Sequence, residues 1–176
     1  MYHISLYFDE KTSNRITSFM RLVAKHTKND EMIVGKVPPH ITFSIFKADN
    51  EKAAIEALKR IAARIKQDSI RWIGIGSFLP SVIYISPLQD EYLFNVCRII
   101  YEEVIIIDGV KVNERYQPYN WVPHTTIAKN MTNEQLKIAF EVMQGCFGMF
   151  EGNAIKIGLA KTNPYNDIFT LELSLS

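Results

Sequence analysis

Apolar and polar residues alternate with period two at the start of the chain, placing Ile4, Leu6 and Phe8 on one face and His3, Ser5 and Tyr7 on the other. Successive side chains of a strand point to opposite faces, so this spacing predicts a strand with one buried side. The period then changes. From Glu10 to His26 the apolar positions Ile16, Phe19, Met20 and Val23 recur at three- and four-residue steps, the stripe of an amphipathic helix, with Asp9 placed to cap it. A polar stretch ends at Pro38-Pro39 and leads into a second strand, His40 to Phe46, at an entrance where missing N–H donors cost least. Parity there sends Ile41, Phe43 and Ile45 into the core. A helix over 51–67 follows, carrying Ile55, Leu58, Ala62 and Ile65 on one face.

The second half repeats this mixture. Strand-like runs at 70–78 and 82–86 precede a helix from Gln89 to Glu103; the short β-branched run 104–107 fits either a strand or a helix end. An aromatic-rich loop, 113–122, leads to a strand beginning at His124. Thr132 and Gln135 form a capping box for a helix with Leu136, Ala139, Phe140 and Met143 on one stripe, and strands 155–161 and 168–175 close the chain. Without the regular strand-helix alternation of a parallel sheet, this order predicts an α+β fold of mostly antiparallel strands with flanking helices. No linker divides residues 1–176, so we expect a single domain.

Two segments recur. Ile4-Ser5 followed by Asp9-Glu10 reappears as Ile85-Ser86 followed by Asp90-Glu91, 81 positions later, and Pro39-His40-Ile41-Thr42-Phe43 reappears as Pro123-His124-Thr125-Thr126-Ile127, 84 positions later. A length difference in one connecting loop reconciles the shifts. The simplest reading is a duplication, with repeat units of approximately 1–80 and 81–176, giving a pseudo-twofold, two-lobed fold around a central groove. Each lobe then presents one Pro-His-x-Thr strand to that groove.

Composition narrows what the groove can hold. The chain has 176 residues, 47% hydrophobic and 22% charged, with 20 Lys and Arg against 19 Asp and Glu for a net charge of +1. That balance excludes intrinsic disorder and argues against extended duplex-DNA binding, which needs many cations to neutralise phosphates. No apolar run approaches the roughly 20 residues that span a bilayer, and the first residues lack a basic segment followed by an apolar one, so we expect a cytoplasmic protein without a membrane partner. Cys97 and Cys146 sit in apolar helical patterns outside any CxxC pair and are expected to be buried and reduced.

In a strand, residues i and i+2 share a face, so His40 projects with Thr42 and His124 with Thr126. Two imidazoles and two hydroxyls in one groove suit a phosphodiester. One neutral histidine takes a proton from the attacking water or hydroxyl, and a protonated one gives a proton to the leaving oxygen. The threonine hydroxyls donate to the non-bridging phosphate oxygens. A metal site on the two histidines would want a third ligand, and neither motif carries an acidic neighbour, so we expect neither metal nor cofactor. Thr125 stands where its counterpart is Ile41, and if buried its hydroxyl must find a partner.

With these motifs the chain resembles the two-histidine phosphoesterases, the 2′-5′ RNA ligase-like superfamily, whose hallmark is two His-h-Thr-h motifs, h being hydrophobic, one per lobe of a pseudo-symmetric α+β fold. His40-Ile41-Thr42-Phe43 matches fully, and His124-Thr125-Thr126-Ile127 matches except at Thr125. The resemblance covers essentially the whole chain. Phe78-Leu79-Pro80 with Val82-Ile83-Tyr84-Ile85, and Trp121-Val122-Pro123-His124, look most like a bacterial branch of about this length whose physiological substrates are poorly defined. It implies metal-independent hydrolysis or transfer at 2′,3′-cyclic phosphates or related phosphodiesters of nucleotides or RNA ends. His40 and His124 would be the acid-base pair, and Thr42 and Thr126 the phosphate ligands. Pseudo-symmetry leaves open which histidine is the base.

Parity adds further groove candidates. Ser44 lies with His40 and Thr42, and Ser5 and Tyr7 have Tyr84 and Ser86 as repeat partners; each either touches substrate or is a polar position on a half-solvated sheet. Tyr119 and Trp121, beside Tyr116 and Arg115, either stack on a base or pack the loop down over the domain. Lys129, five residues past His124, falls on the opposite face as a strand-end surface charge, and His3 and His26, lacking repeat partners, receive no catalytic role. The expected protein is thus a monomeric phosphoesterase acting on a small nucleotide or RNA terminus; the alternative is a non-catalytic RNA-end or nucleotide-binding module using the same groove.

Overall fold

In the computed structural model, which describes residues 1–162 and 164–175, period-two segments become β1 (Tyr2–Phe8), β2 (His40–Lys47), β3 (Asp68–Phe78) and β4 (Val82–Pro87), with the short β5 (Lys111–Val112) and β6 (Thr125–Ala128), then β7 (Phe150–Lys161) and β8 (Asn166–Glu172). The helices are α1 (Glu10–Thr27), α2 (Glu31–Val34), α3 (Glu51–Arg64), α4 (Glu91–Ile105) and α5 (Asn133–Cys146), and a 3-10 turn covers Glu114–Tyr116. Caps foreseen from side-chain chemistry are made: Asp9 accepts from the Thr12 N–H, and Thr132 and Gln135 form a reciprocal capping box. The run 104–107 is the end of α4 and its following turn.

All strands named here join one antiparallel sheet, ordered β5-β2-β1-β7-β3-β4-β6, with β8 pairing β7. Leaving out short β5, that order is palindromic: motif strand, amino-terminal strand, crossing strand, then the same three reversed. β3 and β7 meet at the centre, Ile70 opposite Gly152. Each half of the chain therefore lends its crossing strand to the other. Helices follow the same exchange, because α1 packs on α5 and β6 while α3 packs on α4, which lies against β2. This interleaving joins both lobes through one core, where Trp72 stacks on Phe150 at 4.8 Å and meets Phe8 edge-on at 5.0 Å.

Several positions differ from their periodicity. The polar face of β1 is buried like its apolar face, since His3, Ser5 and Tyr7 meet His40 and Thr42 of β2 and the Tyr165 side chain. Ile45 is half-buried while Phe46 enters the core, the reverse of simple alternation. Phe140 and Leu175 are exposed at the margins of their stripes. Cys97 is buried, but Cys146, the last residue of α5, is exposed where the helix leaves the sheet. No helix among the described residues is long and apolar enough to cross a membrane.

Candidate active site

The two motif strands end the palindrome, yet sheet curvature brings β2 and β6 back together, with Cα atoms of the two strands within 8 Å. His40 Nδ1 lies 2.7 Å from the Pro38 carbonyl and His124 Nδ1 lies 2.8 Å from the Val122 carbonyl. A carbonyl only accepts, so each Nδ1 carries a hydrogen and each Nε2 is left for a substrate. The prolines at 39 and 123 sit inside these loops, holding the chain extended where it turns back to each ring.

Each motif strand carries one extra residue directly after its threonine. In β2, Ser5 faces Thr42 but Ile4 faces Ser44, leaving Phe43 unmatched; in β6, Tyr84 faces Thr126 but Ile83 faces Ala128, leaving Ile127 unmatched. A β-bulge of this kind reverses the parity of everything beyond it. Ser44 therefore points into the core beside Ile4, 1% exposed and with no partner for its hydroxyl, and is not a groove residue. The same reversal brings Lys129 to the groove, where it lines the His40 cleft and ion-pairs with Glu31 at 3.2 Å, in place of the outward charge expected from strand parity.

Each motif strand also receives an indole N–H. Trp121 Nε1 donates to the Thr42 carbonyl at 2.8 Å while its ring stacks on Phe43 at 4.5 Å, so this residue, 4% exposed, anchors the first motif and offers little face for a base. Trp72 Nε1 donates to the Thr125 hydroxyl at 3.1 Å. That bond accounts for the polar residue in a hydrophobic slot: without it a fully buried indole N–H would lack an acceptor.

An aromatic ring flanks each catalytic candidate. The Tyr7 ring centroid is 6.0 Å from His40, and the Tyr7 hydroxyl meets the Tyr165 hydroxyl at 3.3 Å; the Tyr84 ring is 5.5 Å from His124, with Phe78 edge-on to the same imidazole at 4.8 Å. Both tyrosines lie over glycines. A Cβ at Gly158 would come within 2.7 Å of the Tyr7 ring, and one at Gly76 would collide with the Tyr84 ring. Tyr119 is 92% exposed and touches Phe94, so it lies outside the groove wall.

The two sides carry different residues. The His124 side opens into a cleft of about 680 Å³ whose wall combines Phe78, Leu79 and Val122 with Arg115, Asn120 and Trp121. The His40 side has about 450 Å³, where Val37 and Ile45 stand beside His3, Glu31, Lys129 and Tyr165. Burial pushes His40 down to about 4 against the pull of the Pro38 carbonyl, with His124 and the Lys129 ammonium adding to the depression. Burial also lowers His124, opposed by the Val122 carbonyl. His3, set aside on sequence grounds, is 4% exposed and its ring centroid lies 5.6 Å from that of His40. Strand parity carried the signal, since it puts His3 on the same face of β1 as Ser5 and Tyr7; what it could not give was the distance to His40, which depends on the pairing of β1 with β2.

Among the described residues, no group of three or more His, Cys, Asp or Glu side chains is placed to hold a metal ion. A family model, the 2′-5′ RNA ligase superfamily, matches residues 8–161. Among solved structures, E. coli LigT complexed with 3′-AMP superposes with a TM-score of 0.63 at 11% identity, covering 98% of this chain and 97% of that one. A structure described as a phosphoesterase gives 0.64 at 13% identity, with 98% and 97% covered, and TT0787 of Thermus thermophilus gives 0.64 at 13%, with 99% and 98% covered. At such identities these likenesses establish the fold. No curated protein matches the chain.

Proposed function

Since the chain belongs to the 2′-5′ RNA ligase superfamily, we propose that it is a phosphoesterase that opens 2′,3′-cyclic phosphates of nucleotides or RNA ends by two-histidine acid-base catalysis, without a metal. The observation that carries this reading is the matched pair of imidazoles, each with Nδ1 committed to a carbonyl and Nε2 without a hydrogen bond among the described residues, each sharing a strand face with a threonine. The LigT structure with bound 3′-AMP supports a small nucleotide as the ligand class.

His40 is the base. Burial opposes its protonation, with the positive charge of its neighbours His124 and Lys129 adding to the effect, so its Nε2 lone pair is available to an approaching water. As the water oxygen forms its bond to phosphorus, the proton passes to His40 Nε2. The bond from phosphorus to one ribose oxygen breaks, and His124 Nε2–H supplies the proton that oxygen needs. Thr42 and Thr126 hydroxyls donate to the non-bridging oxygens, where charge accumulates. Solvent exchange then resets both rings.

The clefts differ in size and in side chains, and this gives the substrate a direction. The larger cleft beside His124, with Phe78, Arg115 and Trp121 in its wall, takes the nucleoside, and water approaches from the His40 side. Purified protein in chelator should hydrolyse nucleoside 2′,3′-cyclic phosphates, and His40→Ala or His124→Ala should each lower kcat/KM by about 100-fold or more. Unchanged rates in both variants, or activity abolished by the chelator, would overturn the reading.

A further inference from the structure

A third imidazole stands behind the first motif. His3 Nδ1 is 2.9 Å from Ser5 Oγ, and Ser5 Oγ is 3.2 Å from Thr42 Oγ1, so a buried chain of polar atoms runs from His3 to the hydroxyl assigned above to the phosphate. Each hydroxyl has one proton to give, so the chain must run in a single direction. Non-bridging phosphate oxygens only accept. When one is bound, Thr42 must donate to it and therefore accepts from Ser5; Ser5, its proton spent, must accept from His3.

We infer that His3 is a positioning residue that, through Ser5, commits the Thr42 hydroxyl to donate to the substrate phosphate. The inference rests on the phosphoesterase reading of the groove. It requires His3 to carry its hydrogen on Nδ1, and burial, aided by His40, keeps the ring neutral by pushing it down to about 3. In series, each donated bond strengthens the next, which makes Thr42 a better donor as charge builds on the phosphate. Among the described residues the second lobe shows no such chain: Tyr84 faces Thr126 where Ser5 faces Thr42, and its hydroxyl sits at the far end of a ring. The two threonines are thus unequal ligands, a distinction the duplicated motifs hide.

Two measurements decide this, and they separate it from the reading beneath it. In ¹⁵N NMR with saturating inorganic phosphate, the His3 ring should report hydrogen on Nδ1; hydrogen on Nε2, or a spectrum indifferent to phosphate, overturns the inference whether or not any substrate turns over. In kinetics with a nucleoside 2′,3′-cyclic phosphate, His3→Phe and Ser5→Ala should each lower kcat about tenfold with KM within about twofold, while His3→Gln, which keeps an N–H donor, should recover most of the rate. In a Thr42→Val background, His3→Phe should cost nothing further. An undiminished cost there, or a full wild-type rate in His3→Phe, shows that His3 does not act through Thr42. Absence of turnover by the wild-type protein would overturn the phosphoesterase reading, with the NMR result still deciding His3.

Discussion

His40 and His124 are held alike: each Nδ1–H meets the carbonyl two residues upstream, each strand kinks after its threonine, and each takes an indole N–H from one of the chain's two tryptophans. Their surroundings are not alike. His40 stands among Lys129, Tyr7, Tyr165 and His3, whereas His124 stands against Tyr84 and Phe78 at the mouth of the cleft that holds Arg115 and Trp121. The two lobes thus share the backbone that aims the rings and differ in the side chains around each ring. Aiming is common to both lobes; the choice of acid and base belongs to the differences.

That division can be broken most sharply with an activated leaving group. A phosphodiester that releases p-nitrophenolate needs no proton at departure, so His124→Ala should retain most of its activity on it, while His40→Ala should stay about 100-fold or more below wild type. Equal losses in the two variants would show that the lobes are interchangeable.

The pH profile tests the same difference with a smaller effect. With the proposed roles, neutral His40 as base and protonated His124 as acid, the acid limb of kcat/KM should fall near pH 4, with the alkaline limb below the ordinary 6.5 of an imidazole. Lys129 opposes the imidazolium form of His40, so Lys129→Ala should raise that pKa and move the acid limb to higher pH, leaving the alkaline limb in place. A shift in the opposite sense, or of the alkaline limb alone, would reverse the roles given to the two rings.

The smallest expected effect concerns the anchors. Thr125→Val should leave the Trp72 N–H buried without an acceptor and destabilise the fold by about 1–3 kcal/mol in denaturant titration. At the equivalent place in the first motif, Ile41 has no such partner to lose, since Trp121 bonds a backbone carbonyl instead. A Thr125→Val protein as stable as wild type would remove this part of the comparison.

Much of the fold is legible in the residues because it depends on local spacing. The helix stripes of α1, α3 and α5, their caps, and the strand character of both motifs all follow from near neighbours. The motif residues His40, Thr42, His124 and Thr126 stand out because two copies of an unusual combination coincide with a repeat. Parity fails where a single residue is inserted into a ladder, since a bulge depends on the partner strand's register. That one feature, used twice, moved Ser44 into the core and Lys129 into the groove. Trp121 was readable as an aromatic beside a phosphate site, but whether it stacks on a ligand or on Phe43 depends on a strand 79 residues away.

By itself, then, the sequence determines the chemical inventory and the elements that carry it: two histidines and two threonines at like places on two strands, in an α+β chain of near-neutral charge. Only the tertiary structure decides which lobe each crossing strand joins, which way each side chain turns after a bulge, and that His3 backs His40. The physical reason is range. Periodicity and capping act over a few residues of one segment, whereas register, burial and the depression of a histidine pKa are set by groups that meet only when distant strands pair.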